Sequence, residues 1–272
     1  MKRLLLAATL IGCGGGGGGG GGGDDEPGVD APTPTKYGSV FIQSFTAEQP
    51  PGTIVRGGAA SADFSTIDTG CPETELGACI LLDCTQAAPA PVSAGTITIT
   101  GATLPISLVP GTDKKYAGLS SQTQTYYTDG AMVSFAASGA DVPAFTVGLT
   151  TPSKATITAP VEPPSASPYL MVSRASPFSV SWTGGGSGQI QVALFAGSPS
   201  TKWIVCRFPA SAGSGSVPTS TIAMLPAGQG SFAMSAISAT EIVAGDYGIH
   251  AMAYSNAVWT DGSIVSGPTM FQ

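Results

Sequence analysis

Thiols are the first candidates for chemistry in this chain. Cys71, Cys79 and Cys84 fall within 14 residues, and Cys206 stands well apart from them. The spacings contain no Cys-x-x-Cys pair, so the cluster lacks the ligand pattern of a structural zinc site and no metal is expected. In an oxidising compartment, four thiols allow three complete pairings. If residues 80–83 are extended, Cys79 and Cys84 lie about 16 Å apart on opposite faces, beyond the ~7 Å Cα separation that a disulfide spans. Gly77 can turn the chain between Cys71 and Cys79, so the expected bridge joins Cys71 to Cys79 or to Cys84. Cys206 stands among Trp203, Ile204, Val205 and Phe208 and reads as a buried small hydrophobe.

Acid–base groups are sparse. His250 is the only histidine, and it sits in the apolar run 249–254. No Gly-x-Ser-x-Gly elbow accompanies it, so it reads as a hydrogen-bonded strand residue rather than a general base. Glu73 with Glu75, or Glu241 with Asp246, could form the carboxylate pair of a glycosidase, but each pair sits in an expected surface turn where the acids stay solvated. No Asp-x-Asp-x-Asp calcium loop is present. The catalytic, metal and cofactor expectations are therefore all none. Exposed aromatic rings are the remaining binding chemistry, because sugar faces stack on them. Trp182 and Trp203 lie in apolar strands and read as core. Tyr126 and Tyr127 precede Thr128-Asp129-Gly130, and Trp259 precedes Thr260-Asp261-Gly262, so these three are expected at loop tips as ligand contacts.

The leader carries a different chemistry. Lys2 and Arg3 form a positive start, residues 4–11 an apolar run too short to span a bilayer, and Gly12 precedes Cys13. Leu10-Ile11-Gly12-Cys13 resembles the lipobox of bacterial lipoproteins. That resemblance covers the leader alone, and implies diacylglyceration of the Cys13 thiol, cleavage between Gly12 and Cys13, and acylation of the freed amine. Each buried methylene adds about 0.8 kcal/mol of membrane affinity, and one chain holds only marginally, so two or three chains make attachment long-lived. The residue after the lipid-bearing Cys is Gly14 rather than aspartate, which by the same resemblance favours the outer membrane of a bacterial envelope, facing the periplasm or the surface.

Behind Cys13, ten glycines and then Asp24, Asp25, Glu26, Pro27, Asp30, Pro32 and Pro34 have nothing to bury. They make a disordered tether with an r.m.s. span of about 25 Å. A net charge of −7, which becomes −9 once Lys2 and Arg3 are cut away, repels nucleic acid and anionic lipid. Membrane attachment then rests on the acyl chains at Cys13, and the remaining partner is an unidentified glycan or protein.

The elements that must position these residues are strands. Charged residues are only 10%, while 38 glycines and 22 prolines punctuate short apolar runs. Phe178, Val180 and Trp182 alternate with hydroxyl residues, as do Ile190, Val192 and Leu194 with their neighbours, and residues 184–188 between them read as a hairpin turn. Further strands are expected at 40–45, 80–83, 96–100, 106–109, 132–136, 145–149, 203–208, 231–236 and 248–254, with one short helix at 218–225 between Pro218 and Pro226. Antiparallel sheets must bury their apolar faces on one another. The expected fold is all-β: two consecutive antiparallel β-sandwich domains of Ig-like architecture, without the immunoglobulin Cys, Trp, Cys spacing. The expected division is a signal peptide at 1–12, a lipidated tether at 13–36, a first domain at 37–158, a Pro-rich linker at 159–168 and a second domain at 169–272.

Overall fold

The computed structural model describes residues 34, 36–49, 53–66, 73–83, 90–164, 169–197 and 202–272. The chain is nearly all β. The first strands are β1 (Lys36–Gln49), β2 (Thr53–Ser65), β3 (Glu73–Leu76), β4 (Cys79–Asp83), β5 (Ile97–Thr100), β6 (Ile106–Leu108), β7 (Leu119–Ser121), β8 (Met132–Ala137) and β9 (Phe145–Thr150). After these come β10 (Ala155–Ala159), β11 (Leu170–Val172), β12 (Phe178–Gly184), β13 (Gln189–Ala196), β14 (Lys202–Pro209), β15 (Ser214–Val217), β16 (Gly228–Ala244), β17 (Tyr247–Asn256) and β18 (Ser266–Phe271). Among the described residues the one α-helix, α1 (Thr219–Ile222), is shorter than the expected 218–225. Pro218 caps it, and two looser turns carry the buried Leu225 to Pro226.

Three sheets form. The largest runs β3-β4-β14-β13-β16-β17-β1-β2-β7, with β18 also on β16 and β11 beyond it. A four-stranded sheet runs β6-β5-β8-β9 and a three-stranded one β10-β12-β15. Period-two alternation sets their faces. In β9, Phe145, Val147 and Leu149 are buried while Thr146, Gly148 and Thr150 are exposed. In β5, Ile97 and Ile99 point inward and Thr98 and Thr100 outward.

The inward faces make two main hydrophobic clusters. One gathers Val180 and Trp182 of β12 with Ile190, Val192 and Leu194 of β13, Ile204 and Phe208 of β14, and Phe232 of β16. The other gathers Phe135 of β8 and Val147 of β9 with Val40 and Ile42 of β1, Phe64 of β2, and Ile249 and Ala251 of β17. Each fully buried side chain of this size contributes roughly 1.5–3 kcal/mol. Trp182 also needs a partner for its ring N–H, which donates to the Ala210 carbonyl at 2.8 Å.

Strand pairing passes around residues 159–168. β17, late in the chain, pairs in parallel with β1, and β4, early in the chain, pairs with β14. The two halves of the sequence therefore interleave. β16 joins them. Along one edge it carries β18 on Gly228–Ala233 and β17 on Ser235–Ala244, and along the other β13 on Gly230–Ile237.

Two expectations need correction here. β12 and β13 do not form a hairpin, because β12 pairs with β10 and β15 while β13 pairs with β14 and β16. Alternation sets which face of a strand is buried and not which strand lies beside it. The glycines between them, with positive φ at Gly184, Gly185 and Gly186, lead the chain from one sheet to another. At Gly185 a Cβ would stand 2.8 Å from Ile190, so the corner is closely packed as well.

The second correction concerns sulfur. Cys79 is bonded to Cys206, so the bridge from Cys71 to Cys79 is not the one that forms, and Cys206 is no free thiol. Cys71 and Cys84 lie outside the described residues. Cys79 and Cys206 are opposed across the β4–β14 ladder and both are buried, a contact between residues 127 apart that local spacing does not reveal.

Closing so long a loop in the unfolded chain is worth about 4–5 kcal/mol in the chain-entropy treatment. Replacing both residues, Cys79→Ala with Cys206→Ala, should lower the unfolding free energy by an amount of that order. Equilibrium urea denaturation of the two proteins measures it, and an unchanged midpoint would contradict the bridge's structural role.

Candidate functional site

The register of four adjacent strands builds the one mixed acid–base group centred on histidine. Val40, Ile42, Ala62, Phe64, Ile249 and Ala251 point into a core, so their neighbours Ser39, Asp63 and His250 point to the other face of the sheet. On that face Glu241 of β16 opposes His250 of β17, His250 opposes Ser39 of β1, and Ser39 opposes Asp63 of β2. The His250 Nε2 atom lies 3.7 Å from Glu241 Oε1, with the imidazole largely enclosed and the carboxylate half exposed. That separation exceeds a hydrogen bond and suits an ion pair when the imidazole is protonated. At the end of the row, desolvation raises the pKa of the Asp63 carboxyl, against the Phe64 N–H and the charge of Lys115.

The next rows of the same face are apolar. Met252 opposes Phe41 and Ala239, and Tyr254 opposes Ile237 and Gln43. Ile237, Met252 and Tyr254 are buried together, with Phe41 edge-on to Tyr254 at 6.1 Å. Gln43 donates from Nε2 to Asn256 Oδ1 at 2.6 Å.

A second acidic group lies in the turn after Trp259. The Ser263 N–H donates to Asp261 Oδ1 at 2.8 Å, and the Ser263 hydroxyl donates to Glu162 Oε1 at 3.0 Å. Partial burial, with the neighbouring Asp261, raises the pKa of Glu162. Burial also acts to raise Asp261, but the Ser263 donors and the proton on Glu162 outweigh it and hold Asp261 low. The two carboxyl groups thus act on each other's ionisation, with 98 residues between them in sequence. Thr-Asp-Gly marks Asp261 as a turn residue in sequence, but nothing there marks Glu162 as its neighbour.

The aromatic ligand contacts expected from sequence are corrected. Tyr126 and Tyr127 are only 5% and 2% exposed, and Trp259 is 6% exposed. The backbone N–H groups of both tyrosines donate to the Ser44 hydroxyl, at 2.8 and 3.0 Å. The Tyr126 ring lies where a Cβ on Gly58 would stand 2.5 Å from it, so a glycine on β2 makes room for it. The Tyr127 hydroxyl donates to the Tyr254 carbonyl, and burial and Asp129 raise its pKa. Trp259 packs in the cluster with Phe232, at 6.3 Å between ring centroids. The turns that follow these residues are polar, as their composition implies, but burying large ring surfaces stabilises the cores more than exposing them would.

Of the carboxylate pairs read from sequence, Glu241 and Asp246 separate. Glu241 faces His250, whereas Asp246 pairs with Lys36 at 3.3 Å. Glu73 and Glu75 lie on β3, at one end of the large sheet, opposite Leu82 and Ile80. Carboxylates on an edge strand discourage pairing with another chain. Cys13 and Gly12 lie outside the described residues. Among the described residues no three His, Cys, Asp or Glu side chains gather as metal ligands would.

No protein-family model matches this chain, and comparison with curated proteins and with solved structures found no similar protein.

The raised Glu162 carboxyl makes a pH-dependent expectation. Glu162 holds its proton more tightly in the folded chain, so its contribution is complete below the ordinary value of 4.5 and is lost as pH rises through the higher folded value. Glu162→Gln cannot ionise. It should match the parent at pH 4 and exceed it in melting temperature at pH 7, and thermal melts at both pH values check this. A variant less stable than its parent at pH 7 would contradict a raised Glu162 carboxyl.

Proposed function

We propose that this chain is a lipid-anchored protein of the bacterial cell envelope, of structural or interaction type and without catalytic activity. Its body is read as two β-sandwich units of Ig-like architecture that share the long sheet, and residues 13–36 are read as the tether that holds it at the membrane. The observation that carries the reading is the buried bond between Cys79 and Cys206. Structural disulfides persist in oxidising compartments, and thiol-reducing cytosol disfavours them. The leader ending at Cys13 is the route to such a compartment, so two features far apart in the chain agree on export.

Other properties support attachment through lipid rather than through protein. Among the described residues no helix is long and apolar enough to cross a membrane. The strong negative charge gives no basic face for anionic headgroups. The acyl chains on Cys13 then supply the affinity, with Gly14 favouring the outer membrane.

No second reading has an observation of its own. A sugar platform built on Tyr126, Tyr127 or Trp259 would need rings that the two cores have already taken. A hydrolase built on Glu241 and Asp246 would need them to face each other, and each has a different partner.

The test is fractionation of cells expressing the full chain, with mass spectrometry of the N-terminal peptide. The parent protein should partition with membranes and carry a diacylglyceryl Cys13 at its amino terminus. Cys13→Ser should remove the lipid and move the protein to the soluble envelope fraction. An unmodified N-terminal peptide, or a Cys13→Ser protein that stays with the membrane, would refute the anchor.

A further inference from the structure

We propose that Arg207, with Gln191 beside it, binds the carboxylate of a small acidic ligand on the face of the large sheet turned away from its main clusters. Register sets that face. Ile190, Val192 and Leu194 of β13, Ile204 and Cys206 of β14, and Met234 and Ala236 of β16 point into a core. Their odd-numbered neighbours therefore point the other way.

On that second face Arg207 opposes Gln191, Gln191 opposes Ser235, and Ser235 opposes Asn256, so one polar row crosses β14, β13, β16 and β17. Apolar rows flank it. Val205 opposes Ala193 on one side and Ile237 opposes Tyr254 on the other, and all four are buried.

The row has donors to spare. The Arg207 Nε–H donates to Gln191 Oε1 at 3.2 Å, and the Gln43 amide donates to Asn256 Oδ1. Both amide oxygens in the row are thereby engaged, which leaves it the amide nitrogens, and these only donate. Gln191 is 2% exposed, so its amide is held in place by its surroundings. The Arg207 Nη2 is buried and has no hydrogen-bond partner. Among the described residues no carboxylate pairs with Arg207. Glu241, further along β16 on the same face, stands opposite His250 instead.

A guanidinium stays charged, and enclosing one between apolar rows without an anion is costly. A carboxylate meets the need, since its two oxygens match the planar fork and the apolar surroundings strengthen the contact. Arg207 as a whole is only partly buried, so a solute can reach it. The net charge of −7 favours a singly charged carboxylate over a doubly charged phosphate.

Acetate is the probe. Melting curves of the full-length protein near neutral pH and at constant ionic strength compare acetate with chloride and with phosphate. Saturating acetate should raise the melting temperature by about 2–4 °C over chloride, and phosphate should raise it less. Arg207→Gln should lose the acetate shift, whereas Lys154→Gln, which removes an exposed cation elsewhere, should keep it. A second measurement needs no variant: in an NMR titration of the parent with acetate, one arginine Nε–H resonance should move and saturate. Equal melting in acetate and chloride, an unchanged shift in Arg207→Gln, a larger response to phosphate, or resonances that do not move would overturn the site. None of these outcomes bears on the lipid anchor at Cys13.

Discussion

β16 is the element on which the rest of the fold depends. Its 17 residues run past the end of one hydrophobic cluster and into the other, with Phe232, Met234 and Ala236 in the first and Ala244 in the second. A strand that long cannot serve one core, because sheets in globular domains bury elements of roughly 5–6 residues each. Ladder hydrogen bonds along both its edges fix where β13, β17 and β18 lie. Once β17 is placed, β1 and β2 follow by register, and with them the row of Ser39, Asp63, Glu241 and His250. The chain's chemistry-bearing face is a consequence of one strand's length.

The smaller sheets answer a different constraint. Each covers one region of the large sheet and turns a face of small hydroxyl side chains outward, such as Thr98, Thr146 and Ser179. Ionic contacts contribute little to this architecture. The ion pair of Lys36 with Asp246 is exposed, as is that of Lys114 with Asp141, and exposed pairs are worth about 0–1 kcal/mol. Cohesion comes from the apolar faces, and from a covalent bond where the strands from early and late in the chain meet. Among the described residues no helix is long and apolar enough to span a bilayer, so the proposed role leaves membrane attachment to the lipid proposed for Cys13.

Strand positions were largely legible. Every segment expected to be a strand, from 40–45 to 248–254, coincides with a strand of the structure, because alternation is a local property of two-sided burial. Several strands were not legible, among them β2, in which Gly57, Gly58 and Ala59 put no large side chain into an alternating pattern. Those glycines serve packing instead, since Phe45 and Tyr126 fill the space where side chains would stand. The aromatic residues misled for a related reason. Thr-Asp-Gly correctly marks a turn after Tyr127 and after Trp259, but a turn says nothing about whether the ring before it faces in or out.

Composition and alternation were enough to determine an all-β chain, whereas the membrane address at Cys13 is a proposal drawn from the leader. Which strands became neighbours was settled in three dimensions, because alternation specifies a face and leaves the partner open. The same is true of Cys79 with Cys206, 127 residues apart, and of His250 beside Glu241 with Ser39 on its other side. Pairings over such distances depend on how whole sheets bury their apolar faces, which is a property of the assembled molecule and of no single segment.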